Sequence, residues 1–148
     1  MKPLIVLLAA SLITACIARV SAGSWCLMLA GNAGMCAMLL LTALGHFKFT
    51  RGMINMMPPK LPFKRQLVYL TGIAEMASGL ALLLPATRPW AGSAMIFLLC
   101  VMLPANIYAA RNHINYETGA FDGPGPGYLW FRIPLQLFFI AWISYFAL

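Results

Sequence analysis

Residues 66–84 read QLVYLTGIAEMASGLALLL, nineteen residues in which Glu75 is the one charged side chain. An α-helix rises about 1.5 Å per residue, so a run of this length approaches the roughly 30 Å of a bilayer's hydrocarbon core. The pattern recurs on both sides. Apolar runs at about 4–18 and 25–47 precede it, the first being the shortest, and runs at about 89–110 and 129–148 follow. Pro58, Pro59 and Pro62 clear the connection before it of helix, and Pro85 and Pro89 bracket the connection after it. Gly123-Pro124-Gly125-Pro126-Gly127 forces a turn ahead of the last run; it lacks the spacing and Lys-Ser/Thr ending of a phosphate-binding loop and reads as a tight connection. The breaks predict an all-α, polytopic membrane helical bundle of about five transmembrane helices in a single domain, 1–148.

Composition points the same way. Across 148 residues, 62% are hydrophobic and 9% charged, with a mean hydropathy of +0.85, outside the range of soluble domains. The net charge of +7 comes from ten Lys and Arg against three acids. In a soluble protein that balance would suggest nucleic acid; here most of the basic residues occupy short connections, where they fix orientation and meet anionic headgroups, so the lipid bilayer is the expected partner and nucleic acid is not.

With five spans, Lys2, Lys48, Arg51, Lys60, Lys64, Arg65, Arg111 and Arg132 fall on one side and Arg19 and Arg88 on the other. The positive-inside rule then gives a multi-pass protein of the cytoplasmic (inner) membrane with its N-terminus in and C-terminus out. Trp25, Trp90, Trp130 and Trp142 all stand near expected helix ends, where indoles sit among headgroups.

The segment 1–24 has a second reading. Lys2, a short apolar stretch and small residues at Ser21-Ala22-Gly23 are also the layout of a secretory signal, and Ile13-Thr14-Ala15-Cys16 resembles a lipoprotein box that would lipidate Cys16. An uncleaved helix is the expectation, packed beside a four-helix core at 25–148. Cys26, Cys36 and Cys100 form no Cys-x-x-Cys pair, which leaves no zinc or dithiol motif and no expected metal.

Polar residues within the runs are the candidate site. Glu75 lies nine residues after Gln66, about 13 Å into its run, where an uncompensated carboxylate costs at least ~2.5–3.5 kcal/mol. His46 ends the second run, Asn106 lies in the cytoplasmic third of the fourth, and Arg132 and Gln136 open the fifth at i, i+4. These five are expected to converge on one cytoplasm-facing cluster, in which Arg132 holds Glu75 ionised while His46 and Asn106 satisfy its remaining lone pairs. Such a cluster either fixes helix register alone or receives a proton, a quinone headgroup or another small ligand. Met53, Met56 and Met57 read as adaptable packing at the membrane surface.

Four pieces, Gly45-His46-Phe47, Met57-Pro58-Pro59-Lys60-Leu61-Pro62, Gly72-Ile73-Ala74-Glu75 and Leu103-Pro104-Ala105-Asn106-Ile107-Tyr108, resemble in order and spacing the DoxX-like family of small bacterial membrane proteins. The resemblance covers roughly residues 25–148. It implies a compact four-helix membrane bundle, to which the run at 4–18 adds a helix, and a polar pattern carried by His46, Glu75, Pro104 and Asn106. It also implies an association with redox-linked membrane complexes, some relatives being a subunit of a thiosulfate:quinone oxidoreductase. The polar residues and the resemblance together give three readings. The first is an accessory subunit of a redox-associated membrane complex with redox partner proteins; the second is a small proton-coupled transporter using Glu75. The third is a quinone-linked oxidoreductase, for which no haem-ligand pair or iron–sulfur cysteine set is written in the chain.

Overall fold

The structure is a computed structural model that describes residues 2–148, and six α-helices account for most of them. They are α1 (Lys2–Ala22), α2 (Leu27–Lys48), α3 (Thr50–Met56), α4 (Lys64–Ala81), α5 (Arg88–Arg111) and α6 (Leu129–Ala147), with one 3₁₀ turn at Pro126–Tyr128 leading into α6. Each of the five apolar runs forms one long helix. The second connection, expected to be free of helix, instead begins with α3: the Phe49 amide closes α2 on the Gly45 carbonyl at 2.8 Å, and the chain coils again from Thr50. Only from Met57 onward do the three prolines keep it extended or turned, until Phe63 starts α4.

Four segments are long and apolar enough to cross a membrane: Lys2–Ala22, Leu27–Lys48, Arg88–Arg111 and Pro126–Ala147. The helix built on the 66–84 run is less apolar, because it starts at Lys64 and so takes in Lys64 and Arg65 besides Glu75 within 18 residues. It makes up for this by packing against α2 along its length.

Helix α2 is the centre of the bundle, with buried residues on every side and contacts to α1, α3, α4 and α6. Helices α1, α4 and α6 run antiparallel to it. Gly34 meets Leu7 and Ser11 of α1, while Cys36 and Leu39 meet Gly79 of α4, with His46 meeting Gly72 a few turns on. At the other end of α2 the Asn32 amide, 1% exposed, donates to the Phe146 carbonyl of α6 at 2.7 Å. Leu7, Met35, Leu39, Leu82, Met95, Phe139 and Ile143 fill the core between these contacts. Small residues at the crossings and apolar side chains facing outward, among them Ile13, Val20, Leu44, Leu70, Phe97 and Leu137, are what helix packing in lipid requires.

The antiparallel order gathers Lys2, Lys48, Lys64, Arg65, Arg111 and Arg132 at one end of the bundle and leaves Arg19 and Arg88 near the other. Trp25, Trp90 and Trp130 are exposed beside helix ends. Trp142 departs from that expectation: its indole N–H donates to the Gly31 carbonyl at 3.1 Å, so it joins α6 to α2.

Candidate functional site: a buried carboxylate–imidazole pair

Along α4 the buried residues are Val68, Gly72, Glu75 and Gly79, spaced four, three and four apart, which is one stripe of a helix. That stripe faces α2. At Gly72 a side chain would have no room, since a Cβ there would stand 2.9 Å from the Cβ of His46. The close approach brings His46 Nδ1 to 3.6 Å from Glu75 Oε2, with the two side chains 5% and 6% exposed. Thr42, one turn before His46 on α2, donates its hydroxyl to the same Glu75 oxygen at 2.8 Å. His46 Nδ1 also lies 3.0 Å from the Thr42 carbonyl, and because a carbonyl only accepts, that nitrogen carries the hydrogen. Thr42 thus fixes both partners, its hydroxyl orienting the carboxyl and its carbonyl orienting the ring. Thr42 stands six residues before the end of α2, or about 9 Å along its axis, so the pair belongs to the half of α2 nearer the basic end.

Such an arrangement can hold a proton. With one proton between them the carboxyl and the imidazole carry no net charge, and the cost of burial is least when the carboxyl keeps it, because Nδ1 already gives its hydrogen to Thr42 and a protonated ring would hold the extra proton at Nε2. A second proton, or none, would leave a net charge between two apolar helices.

The other three expected members lie elsewhere. Arg132 does not reach Glu75: the one acid–base contact among the described residues is His46 with Glu75. Instead Arg132 lines a cavity of about 180 Å³ together with Asn106. Gln136 donates to the Leu99 carbonyl of α5 at 2.7 Å, just before the Cys100 carbonyl that Pro104 leaves without a helical donor. The single cluster is therefore three separate places. Helices α5 and α6 are apolar nearly all round, so the spacing of Arg132 and Gln136 fixed their depth but not the direction they face. Sequence reasoning missed Thr42 and Asn32. Thr42 carried a usable signal, as the one hydroxyl on α2 and four residues before His46.

The connection between α5 and α6 forms one wall of the cavity, through Ile114, Asn115, Tyr116, Pro124 and Gly125. That connection is folded on itself, with the Asn115 amide on the Ala120 carbonyl at 2.9 Å and the Gly123 amide on the His113 carbonyl at 2.6 Å. It is pinned to α3, where Asn55 donates to the Gly119 carbonyl at 3.0 Å and Phe49 meets Tyr116 edge-on with ring centroids 5.9 Å apart. Burial, and after it the bond to the Glu117 carboxylate, pushes the Tyr116 phenol up, so it remains a neutral hydroxyl. A Cβ on Gly52 would lie 1.9 Å from the Tyr116 carbonyl, which is backbone and cannot swing aside. Gly52→Ala is therefore expected to lift the connection off α3. Cleavage after Glu117 by a glutamate-specific protease in detergent should then be several-fold faster than in the parent protein, while unchanged cleavage would mean that the connection is held by other contacts.

A family model described as a domain of unknown function (DUF8561) matches residues 35–147. No curated protein and no solved structure matches the chain. The matched stretch holds the whole of the Thr42, His46 and Glu75 arrangement and the cavity, and begins after α1.

Proposed function

Since the chain belongs to this DUF8561 family of unknown function, we propose from the site itself that it is a multi-pass protein of the cytoplasmic membrane that takes up one proton at Glu75 and His46 and couples it to passage of a small ligand, as a proton-coupled carrier. The observation that carries this is the ionisable pair buried between α2 and α4, inside a bundle whose outer surface is apolar. Ionisable groups at such depth are costly, and proton relays are a principal reason for keeping them. In this reading α4 is a fifth span, admitted because its polar stripe faces α2. The eight basic residues of one end lie in the cytoplasm, with the N-terminus in and the C-terminus out, and α1 is retained as part of the bundle.

The test is solute uptake into proteoliposomes with and without an inward proton gradient, offering small polar solutes in turn. Uptake of at least one solute should rise with the gradient for the parent protein and lose that dependence in Glu75→Gln, with thermal stability in detergent retained. Gradient-driven uptake that survives Glu75→Gln would end the proposal.

A second reading rests on the four pieces that resemble the DoxX-like family. Two of them supply His46 and Glu75, with Gly72 packed on His46, and a third supplies Asn106 at the cavity. On that reading the protein is an accessory subunit of a redox-associated membrane complex, and the pair or the cavity receives a lipid-soluble ligand such as a quinone headgroup. Purification in mild detergent separates the two: a subunit brings defined redox partners with it, whereas a carrier is active alone.

A further inference from the structure

The first turn of α6 carries a cation where a helix least favours one. Arg132 is the fourth residue of α6, that turn holds no acid, and the positive end of the helix dipole lies there as well. Among the described residues no carboxylate lies within salt-bridge distance of its guanidinium. Across the cavity, Asn106 of α5 is 8% exposed, and its side chain makes no hydrogen bond to any described residue. Every fully buried polar side-chain atom among the described residues does have a partner, so the free valences of the Asn106 amide open onto the cavity wall. The nearby Tyr116 hydroxyl is already committed to Glu117.

An unneutralised guanidinium and an unpartnered buried amide therefore line one partly open space. Both recognise the same chemistry, an anion with several oxygen acceptors. The volume, about 180 Å³, is below the roughly 300 Å³ at which sites for drug-sized ligands begin. It suits a compact group. Lys48, Arg111 and Lys64 at the same end of the bundle add a field that draws anions towards it. We propose that this cavity is a binding site for a phosphate-type oxyanion, supplied either as free inorganic phosphate or as the phosphate of an anionic lipid headgroup, held by the Arg132 guanidinium and the Asn106 amide beneath the 112–125 connection. The site is distinct from the Glu75 pair, and its test reads binding alone.

The full chain, purified and stripped of lipid in a neutral detergent, is titrated with inorganic phosphate at constant ionic strength, with chloride as the control anion and thermal shift as the readout. In parallel, native mass spectrometry compares retention of phosphatidylglycerol with that of phosphatidylcholine. The expected result is saturable binding in at least one arm. Arg132→Gln should weaken it roughly ten- to hundredfold and Asn106→Leu roughly two- to tenfold, as expected for losing charge-assisted and neutral hydrogen bonds. Lys60→Gln, at an exposed position, should change it by less than about twofold. Binding of phosphate identifies the free anion as the source, and binding of phosphatidylglycerol alone identifies the headgroup. Saturable binding in neither arm overturns the proposal, as does binding that Arg132→Gln weakens no more than Lys60→Gln. Should Arg132→Gln not fold, Arg132→Lys keeps the charge but loses the fork, and with Asn106→Leu it decides the question in the same way.

Discussion

His46→Leu is expected to destabilise the protein in detergent by about 2–3 kcal/mol, and His46→Leu combined with Glu75→Met to recover most of that loss. The figure follows from weighing two precedents. Hydrogen bonds between membrane helices couple by only about 0.6 kcal/mol on average and about 1.7 at most. Removing one member of a buried charged pair costs about 3–5 kcal/mol, because the other is stranded. Glu75 lies between these limits, since it retains the Thr42 hydroxyl at 2.8 Å and can escape its charge by keeping a proton. Replacing both members removes the stranded group, and Thr42 remains satisfied by the Leu39 carbonyl at 3.0 Å. The measurement is reversible unfolding of the parent, two single variants and the double variant. A coupling below about 1 kcal/mol would reduce the pair to an ordinary interhelical bond.

The second large effect belongs to α1. A Cβ at Gly34 would stand 1.9 Å from Ser11 Oγ and 2.6 Å from the Leu7 carbonyl oxygen. The serine could rotate away, but the carbonyl belongs to the backbone of α1, so the helix itself must move. Leu7, fully buried in the core, moves with it. Overpacking of a tight contact costs about 1–3 kcal/mol. Gly34→Val, which adds two methyl groups beyond the Cβ, is expected at the upper end, about 3 kcal/mol, and Gly34→Ala at roughly half of that. Unfolding in detergent would show it, together with increased labelling of a cysteine placed at Leu7. If Gly34→Val matches the parent protein in both, α1 is not docked on α2 in the way described. The result would also bear on the N-terminal segment, because a helix whose loss costs this much is a working part of the bundle.

Much of the architecture could be read from the residues because bilayer-spanning helices are constrained by length and by proline alone. The five runs, the turn at Gly123 to Gly127 and the gathering of Lys48, Lys64 and Arg111 at one end all follow from those two rules. The rotation of each helix about its own axis does not. On α4 the alternation of Val68, Gly72, Glu75 and Gly79 with apolar neighbours marks a face, and Glu75 duly points at α2. On α6 there is no such contrast, so depth alone points Arg132 to Glu75, whereas the helix places it beside the cavity with Asn106. The missed α3 has a related cause: Thr50 to Met56 is too short to show a period, and its coil is set by Gly52 and Asn55 meeting the 112–125 connection.

The two ends of α2 are finished differently, one with ionisable groups and the other with packed aromatic and amide contacts. Around His46 there is an ionisable pair, and at the same end of the bundle a cavity and a connection pinned to α3. Around Gly31 and Asn32, α6 is held to α2 by the Trp142 indole, the Asn32 amide and the Phe146 ring lying over Gly31. If the protein is the carrier proposed above, a proton arriving from the basic end meets packed helix at this point, and its delivery to the far side calls for α6 to part from α2 there. On that reading the contacts to be broken are those of Trp142 and Phe146, some distance from Glu75.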